Sequence, residues 1–212
     1  MIKFPSKGLY AITRGHQDVA TIDQLCHDVE LAILGGASVV QYRDKQSPYA
    51  MKWAKRLLAC CHQYGVPLII NDDITLAKTI GADGVHLGRD DGLISDAKAQ
   101  LGAEAIIGVS CYNSLQIAID AQENGASYVA FGRFFASNSK PLALPAQVST
   151  LTLAKAQLHV PIVAIGGILV SNGATLLDAG ADLLAVIGGL ATSNPQNTAR
   201  EYCRLFEASS DE

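Results

Sequence analysis

Three polar side chains at the end of an apolar segment have the types and the spacing to bind an anion. Gln41, Arg43 and Lys45 alternate with other residues after an apolar run that begins at Ala37. If this segment is a strand, successive side chains point to opposite faces, so the three groups share one face. Two cations and an amide on one face indicate a site for a multiply charged anion. The alternative is a solvated strand end with a surface ion pair, and these residues alone leave both interpretations open.

Two carboxylates follow the next two apolar segments and suggest that a metal ion accompanies the anion. Asp72 and Asp91 would lie at adjacent strand ends, and Mg²⁺ typically binds one or two protein carboxylates, several waters and substrate phosphates. The cations would complete the neutralisation of a diphosphate, whereas in a structural protein the same groups would form salt bridges. The complete set contains the cations Arg43, Lys45 and Lys140, the neutral donors Asn71 and Ser110, and the carboxylates Asp72 and Asp91.

Two glycine pairs suggest a second, separate phosphate site. Gly166-Gly167 and Gly188-Gly189 each follow a late apolar segment. In barrels of eight parallel strands, the loops after strands seven and eight frequently bind phosphate through backbone N–H groups. Glycine at such positions allows the ligand to approach the backbone closely. The alternative is that these glycines only form turns and helix ends.

A recurring quartet sets the spacing of the elements that must position these groups. Gly-Ala-Ser or Gly-Ala-Asp, followed by one more residue, begins at positions 36, 81, 125 and 180. Each copy follows a helical pattern and precedes an apolar segment, and glycine favours the left-handed backbone at helix ends. The copies are 45, 44 and 55 residues apart, which is about the length of two βα units. Four copies therefore imply eight βα units.

The fold class follows from this alternation of strands and helices. Helical patterns lie between the apolar segments, for example at 49–64 and 114–124, which indicates parallel strands joined by right-handed crossovers. We predict a single-domain α/β protein, one (β/α)₈ TIM barrel over residues 1–212. A doubly wound open sheet is the alternative, but Thr13-Arg14-Gly15-His16 stands where GxGxxG would follow the first strand. The predicted strands are 9–13, 39–43, 68–71, 84–87, 105–109, 128–132, 162–165 and 183–187.

Composition limits the classes of function and location. The chain has 212 residues, of which 49% are hydrophobic and only 17% charged, so one well-packed domain is expected rather than disorder. The net charge of −4 argues against binding to nucleic acid or to a membrane surface. Five cysteines without a CxxC motif fit a reducing cytoplasm better than a disulfide framework. The sequence leaves the oligomeric state open, a homo-oligomer included.

The same residues, taken together, resemble the thiamine-phosphate synthase family. The resemblance runs in order from about residue 9 to residue 190, and its specificity comes from the complete set of motifs. The matching segments are Gln41-Tyr42-Arg43-Asp44-Lys45, Ile70-Asn71-Asp72, Gly81 to Gly88 with Asp91, Gly108-Val109-Ser110, Ser137-Asn138-Ser139-Lys140 and Ala164 to Ile168.

The resemblance implies an Mg²⁺-dependent transferase with two small-molecule substrates. It would join 4-amino-2-methyl-5-(diphosphooxymethyl)pyrimidine to a thiazole phosphate, as diphosphate departs and the thiazole nitrogen attacks a pyrimidinylmethyl cation. By the same resemblance, Arg43, Lys45, Ser110 and Lys140 are catalytic, and Asp72 and Asp91 bind Mg²⁺. The substrate-binding residues that it implies are Gln41, Tyr42, Arg43, Asp44, Lys45, Asn71, Ser110, Ser137, Asn138, Ser139, Lys140, Gly167, Ile187 and Gly188.

The sequence departs from the family pattern at a few positions. Ser137 and Ser139 replace the usual threonines and keep their hydroxyl groups, whereas Arg133 stands in place of a common proline. Asp73 stands where the family often has a basic residue after Asn71-Asp72, and Gly188 replaces a frequent serine. These changes bear on affinity and on the pose of the second substrate more than on the reaction.

Two other functions remain as alternatives. One is a thiazole tautomerase-like isomerase on the same barrel, which uses a histidine near the end of strand five. This chain has Ser110-Cys111-Tyr112-Asn113 in that region. The other is a non-catalytic thiamine-precursor binding protein, which the intact Asp72, Asp91 and Lys140 argue against.

Overall fold

All eight predicted strands form, and they close into a barrel in the order of the sequence. The computed structural model describes residues 2–45, 47–136 and 144–208. Each strand is parallel to the next, and the first pairs with the last, which closes the sheet. The single-domain (β/α)₈ barrel is therefore confirmed. The strands are β1 (Gly8–Ile12), β2 (Ala37–Tyr42), β3 (Leu68–Asn71), β4 (Gly84–Leu87), β5 (Ile106–Tyr112), β6 (Tyr128–Gly132), β7 (Ile162–Ile165) and β8 (Leu183–Val186).

A helix follows each strand, and side-chain caps account for several helix ends. The helix predicted at 114–124 begins at Leu115, because Ser114 Oγ accepts a hydrogen bond from Ile117 N–H and so acts as the N-cap. In the described ranges, no helix is long and apolar enough to cross a membrane. The helices are α1 (Ile22–Leu34), α2 (Ala50–Gln63), α3 (Ile74–Ile80), α4 (Ile94–Leu101), α5 (Leu115–Glu123), α6 (Val148–Lys155), α7 (Val170–Asp178) and α8 (Pro195–Ala208), and a short 3-10 helix (Gly188–Leu190) precedes α8.

Four predicted strands have different ends in the structure. The fifth, predicted at 105–109, runs to Tyr112, because Ser110 and Tyr112 pair with β6 across a bulge. The second begins two residues earlier than predicted, at Ala37, which pairs with β1. The first and the eighth differ by one residue at their ends. Hydrogen-bond partners in the neighbouring strand determine where a strand ends, and the local sequence pattern does not contain them.

The alternation of side chains along the strands builds two apolar layers. One fills the barrel, where Tyr10, Val39, Ile69 and Tyr128 belong to a single buried cluster. Phe4, which precedes β1, stacks on Tyr128 with ring centroids 4.1 Å apart and closes the lower end. The other layer lies between the barrel and its helices and is the larger one. With the lower end filled, the opposite end of the barrel is left for a ligand.

The four sequence quartets occupy equivalent places in the barrel. They follow α1, α3, α5 and α7 and lead into the even-numbered strands, which confirms the count of eight βα units. The third residue of each quartet is polar, and its side chain bonds to the backbone of the preceding strand. These bonds join Ser38 Oγ to Leu9 O, Asp83 Oδ2 to Leu68 N, Ser127 Oγ to Ile107 N and Asp182 Oδ2 to Ile162 N. The repeat therefore ties neighbouring strands together at the amino end of the barrel.

Removing one of these ties is expected to destabilise the barrel measurably. Asp83 is 4% exposed, and its Oδ2 accepts from Leu68 N at 2.9 Å and lies 2.8 Å from His62 Nε2. Asp83→Ala leaves the buried N–H of Leu68 without this acceptor, which should lower the free energy of unfolding by about 2–3 kcal/mol in urea denaturation. Asp182→Ala removes the same kind of bond at a more exposed site, so a smaller loss is expected. An unchanged urea midpoint for Asp83→Ala would contradict this role.

Candidate active site

A cavity of about 600 Å³ opens at the carboxyl ends of the strands. Residues from all eight strands or the loops after them line it. Ser137, Asn138, Ser139 and Lys140 lie outside the described residues, although Ala136, just before them, lines the cavity. The predicted site residues on its wall are Gln41, Arg43, Lys45, Asn71, Asp72, Asp91, Ser110, Gly167, Ile187 and Gly188.

The alternation at the end of β2 divides its residues between two environments. Gln41 is buried and lines the cavity together with Arg43 and Lys45. The backbone beyond the strand is held in place, since Arg43 N–H donates to Thr13 Oγ1 at 3.0 Å. Lys45 is the most exposed of the three and pairs with Asp72. The cationic face predicted from the sequence spacing is therefore present, and it faces the cavity.

Tyr42 and Asp44 point to the other side of the same segment. Tyr42 packs in the layer between barrel and helices, and its hydroxyl donates to Asp44 Oδ2 at 3.2 Å. Asp44 also accepts from the backbone N–H of His16 at 3.0 Å, and its Oδ1 lies 2.8 Å from His16 Nδ1. Neither Tyr42 nor Asp44 lines the cavity, because odd and even positions of an extended segment face opposite ways. We therefore assign them to fixing the loops after β1 and β2, and not to contact with substrate.

Asp72 and Asp91 lie side by side at the ends of β3 and β4. Lys45 Nζ is 3.2 Å from Asp72 Oδ2, and Asp91 Oδ2 accepts from Gly88 N–H at 2.7 Å. Burial and the neighbouring Asp72 carboxylate raise the pKa of Asp91. Asp72 has a φ of 66°, a left-handed backbone that non-glycine residues rarely adopt and that clusters at functional sites. Two carboxylates are thus held together against their mutual repulsion.

This pair suits a hard divalent cation that needs few protein ligands. Within the described residues, no group of three or more His, Cys, Asp or Glu side chains could enclose a metal ion. Mg²⁺ requires only one or two carboxylates when substrate phosphates and waters complete its shell. A cation between Asp72 and Asp91 would relieve the repulsion that raises the pKa of Asp91. Lys45 and Asp72 form a salt bridge. The alternative interpretation of these cations and carboxylates, that they pair with one another, therefore also holds for this pair.

A chain of hydrogen bonds runs beneath the cavity and joins residues distant in sequence. Gln41 Nε2 donates to Tyr10 Oη at 2.9 Å, and Tyr10 Oη lies 2.7 Å from Tyr128 Oη. His86 Nδ1 is 2.9 Å from Tyr128 Oη, and His86 Nε2 is 2.9 Å from Ser110 Oγ. From the sequence alone, His86 is as consistent with a packed strand residue as with a ligand, and neither tyrosine is a candidate for the site. Tyr10 and Tyr128 face inward in β1 and β6, but an inward-facing tyrosine in an apolar strand is expected to belong to the core.

Two further cations line the cavity beyond those predicted. The Arg89 guanidinium lies 4.9 Å from the centroid of the Tyr112 ring, and Arg89 N–H donates to Tyr112 Oη at 3.3 Å. Arg133, at the end of β6, is the other. The sequence signal for Arg89 was its place between Gly88 and Asp91. Both residues add positive charge to the cavity, Arg89 from the loop after β4 and Arg133 from the loop after β6.

The glycines after β7 and β8 differ in the space around them. Gly167 has a φ of 64°, and a Cβ there would lie 2.3 Å from Ala136 O, so the loop after β7 packs directly on the loop after β6. Gly188 begins the short 3-10 helix, and a Cβ at this position meets no atom within 4 Å.

Asp73, another departure from the family pattern, is the N-cap of α3, since its Oδ1 accepts from Leu76 N–H at 2.8 Å. Asp73 therefore stabilises a helix and does not line the cavity.

Comparison with known proteins assigns this barrel to a group of similar chains. The family described as thiamine monophosphate synthase matches residues 9–190. The chain is 47% identical to a thiamine-phosphate synthase of Thiobacillus denitrificans over 215 residues, which covers 100% of both chains. It is 54% identical to a thiamine-phosphate synthase of Saccharophagus degradans over 184 residues, covering 86% of this chain and 84% of that protein.

A solved structure shows the same similarity in three dimensions. The thiamine phosphate pyrophosphorylase from Pyrococcus furiosus superimposes with a TM-score of 0.85 at 28% sequence identity, covering 96% of this chain and 97% of that one. A protein described as native KDPGal gives a TM-score of 0.76 at 17% identity, which reflects the shared barrel alone. Sequence family and fold thus agree over nearly the whole chain.

Proposed function

Because the chain belongs to the thiamine monophosphate synthase family, we propose that its cavity binds a pyrimidine diphosphate and a thiazole phosphate side by side. The protein is a transferase with thiamine-phosphate synthase activity. Its proposed substrates are 4-amino-2-methyl-5-(diphosphooxymethyl)pyrimidine and a thiazole phosphate. The observation that carries the proposal is one cavity in which a cationic wall and a carboxylate pair face two glycine loops.

The diphosphate end of this arrangement lies at the ends of β2, β3 and β4. Arg43 and Lys45 supply positive charge, and Asn71 supplies a neutral donor on the same wall. Asp72 and Asp91 would hold Mg²⁺, which when bound neutralises part of the diphosphate charge. Lys140 completes this set by resemblance to the family. The proposed role of these residues is to stabilise a leaving group as its negative charge develops.

The second substrate is proposed to lie on the opposite wall. Gly167, Ile187 and Gly188 line the cavity there, and by resemblance Ser137, Asn138 and Ser139 contribute hydroxyl and amide groups to the thiazole phosphate. Backbone N–H groups after β7 and β8 suit a phosphate in barrels of this kind. The two anions would then be held apart, with their organic rings between them.

The reaction needs placement and charge stabilisation more than a strong base. The bond between the pyrimidinylmethyl carbon and the diphosphate oxygen breaks, and the electron pair leaves with diphosphate. The thiazole nitrogen then donates its lone pair to the resulting cation, which forms the new C–N bond. Holding both rings within reach accounts for much of the rate increase. Arg43, Lys45, Lys140 and Ser110 are the proposed catalytic contacts.

Incubation with both substrates and Mg²⁺ tests this function directly. We expect thiamine phosphate and diphosphate to appear in equal amounts, measured by chromatography and a coupled diphosphate assay. Tight binding of both substrates without product would favour a precursor-binding protein instead. Interconversion of thiazole phosphate forms without condensation would favour the isomerase.

Restoring a hydroxyl at residue 188 is expected to strengthen binding of the thiazole phosphate. Gly188→Ser should lower the KM for this substrate about tenfold to a hundredfold, because one hydrogen bond to a charged group contributes about 1.5–3 kcal/mol and the site has room for the side chain. Gly188→Ala is the matched control, since it adds bulk without a donor and should leave KM unchanged. Equal effects of both substitutions would separate residue 188 from phosphate recognition.

We also propose that the protein works in the cytoplasm. All five cysteines are free thiols, although Cys26, Cys60 and Cys61 lie on two adjacent helices. Free thiols in such numbers fit a reducing compartment. Cell fractionation with an antibody to the chain would test the proposal, and recovery outside the cytoplasm would contradict it.

A further inference from the structure

The hydrogen bonds beneath the cavity have one consistent direction when each phenol donates its proton to the next group in the series. The Nε2 atom of Gln41 is an amide nitrogen that donates and does not accept, so Tyr10 Oη accepts from it at 2.9 Å. Tyr10 has one proton left to donate, and within the described residues its other hydrogen-bond partner is Tyr128 Oη at 2.7 Å. Tyr10 therefore donates to Tyr128.

The direction continues through the histidine to the cavity wall. Tyr128 accepts from Tyr10 and donates its own proton to His86 Nδ1 at 2.9 Å. A neutral imidazole that accepts at Nδ1 carries its proton on Nε2, and this nitrogen lies 2.9 Å from Ser110 Oγ. Ser110 accepts from His86, so its own hydroxyl proton is left to donate elsewhere. Because Ser110 lines the cavity, that proton is available to a ligand.

Burial keeps this series of hydrogen bonds intact. Tyr10 is 1% exposed and Tyr128 is fully buried, so solvent does not compete for either phenol. Burial also raises the pKa of both tyrosines, which therefore stay neutral and keep the single proton on which the direction depends. Gln41 both starts the chain and lines the cavity. Its amide carbonyl, Oε1, is an acceptor on the same floor as the Ser110 donor.

We propose that the chain from Gln41 through Tyr10, Tyr128 and His86 fixes Ser110 as a hydrogen-bond donor and Gln41 as an acceptor, and thereby selects an aminopyrimidine over its oxo analogue. This inference rests on the proposed function, since it names the feature of the pyrimidine that Gln41 and Ser110 recognise. An aminopyrimidine offers a ring-nitrogen lone pair beside an amine donor, which complements this floor. In the 4-oxo analogue, the ring nitrogen carries a proton and the neighbouring oxygen accepts, so both polarities are reversed. Tyr128 does not line the cavity and is a positioning residue that acts through His86 and Ser110, whereas Tyr10 and His86 line the cavity and also belong to the same series of hydrogen bonds.

The tautomer of His86 tests the direction without any substrate. In ¹⁵N NMR spectra of the full chain, with His86 assigned by its absence from His86→Asn, we expect a neutral ring protonated at Nε2. Tyr128→Phe removes the donor to Nδ1 and should produce a mixture of tautomers. Gln41 is 3% exposed, so Gln41→Glu is measured at a pH high enough to ionise the buried carboxyl. The ionised side chain is an acceptor of the same shape, which should reverse the direction of the hydrogen bonds and move the His86 proton to Nδ1. A wild-type ring protonated at Nδ1, or a Gln41→Glu ring unchanged from wild type, would overturn the proposed direction.

Binding of two ligands tests the consequence for specificity. The dissociation constants of the aminopyrimidine diphosphate and of its 4-oxo analogue are measured by calorimetry with Mg²⁺ and without thiazole phosphate. We expect the wild type to prefer the amino compound at least a hundredfold, and Tyr128→Phe to reduce this preference at least tenfold. Tyr64→Phe removes the hydroxyl of a tyrosine that bonds to Glu30 away from the cavity, and it should leave the preference unchanged.

The outcomes separate this inference from the proposed function. An altered His86 tautomer in Tyr128→Phe with an unchanged preference would overturn the link to specificity. Loss of preference in Tyr64→Phe as well would do the same, since it would make the effect a general one. If the wild type forms no thiamine phosphate, the proposed function fails, whereas the tautomer measurement still decides the direction of the chain. Circular dichroism establishes that Tyr128→Phe folds, and Gln41→Glu provides an independent test if it does not.

Discussion

Replacing Asp72 or Asp91 with alanine is expected to abolish Mg²⁺-dependent release of diphosphate. The two carboxylates lie together at the ends of β3 and β4, where burial and the neighbouring Asp72 raise the pKa of Asp91, and a bound cation would favour the ionised form of Asp91. A bound metal contributes several kcal/mol of charge stabilisation to such a reaction, and each 1.36 kcal/mol corresponds to tenfold in rate. We therefore expect kcat/KM to fall by at least about a thousandfold in either variant, measured by diphosphate release over a titration of Mg²⁺.

Asp90 provides a matched control for these substitutions. It is adjacent to Asp91 in sequence and also lines the cavity, but its side chain is exposed. Asp90→Ala removes the same charge from the cavity wall and should change kcat/KM by less than about threefold, as expected for an exposed charge. Full activity of both Asp72→Ala and Asp91→Ala would reject the metal assignment. A comparable loss in Asp90→Ala would indicate that general negative charge matters, and not a specific pair.

Arg43→Ala is expected to weaken binding of the pyrimidine diphosphate far more than binding of the thiazole phosphate. Arg43 lines the cavity next to Lys45, and the bond from its backbone N–H to Thr13 fixes its position. Hydrogen bonds to charged groups contribute about 1.5–3 kcal/mol, so the dissociation constant of the diphosphate should rise roughly tenfold to a hundredfold. The constant for the thiazole phosphate should change less than about twofold, because the proposed second site lies on the opposite wall. Calorimetry with each ligand separately measures both.

Arg14 is the control for the loss of an arginine at a strand end. It follows β1, pairs with Asp28 at 2.7 Å and does not line the cavity. Arg14→Ala should leave both dissociation constants unchanged. Equal losses of the two ligands in Arg43→Ala would mean that the two sites are wrongly assigned, while a loss in Arg14→Ala would point to an effect of overall charge.

Much of the fold and part of the site follow from short-range patterns in the sequence. The quartets at 36, 81, 125 and 180 predicted eight βα units, since together they mark the ends of every second helix. The alternation at β2 predicted that Gln41, Arg43 and Lys45 share a face. Parity also accounts for Tyr42 and Asp44, which the resemblance placed in the site and the structure places on the other side. The sequence held the information for both outcomes, because alternation in a strand is a local property.

The contacts across the barrel could not be predicted from short-range sequence patterns. Tyr10 and Tyr128 are separated by 118 positions, and only closure of the sheet brings them together above Phe4. Arg89 also joins the cavity wall through a contact with Tyr112, which lies in β5 because that strand extends across a bulge. Such contacts depend on the register between strands, which is a property of the whole barrel.

The sequence by itself determined the number of βα units and the polar residues that follow individual strands, and it predicted a phosphate-bearing ligand. These properties follow from periodicity and residue type, which act over a few positions of the chain. Only the tertiary structure decided which polar groups touch, as in the contacts that join Gln41 to Tyr10 and His86 to Ser110, and which side chains lie outside the cavity. These hydrogen bonds require distances of about 3 Å between atoms from different strands, and those distances exist only once the barrel has closed.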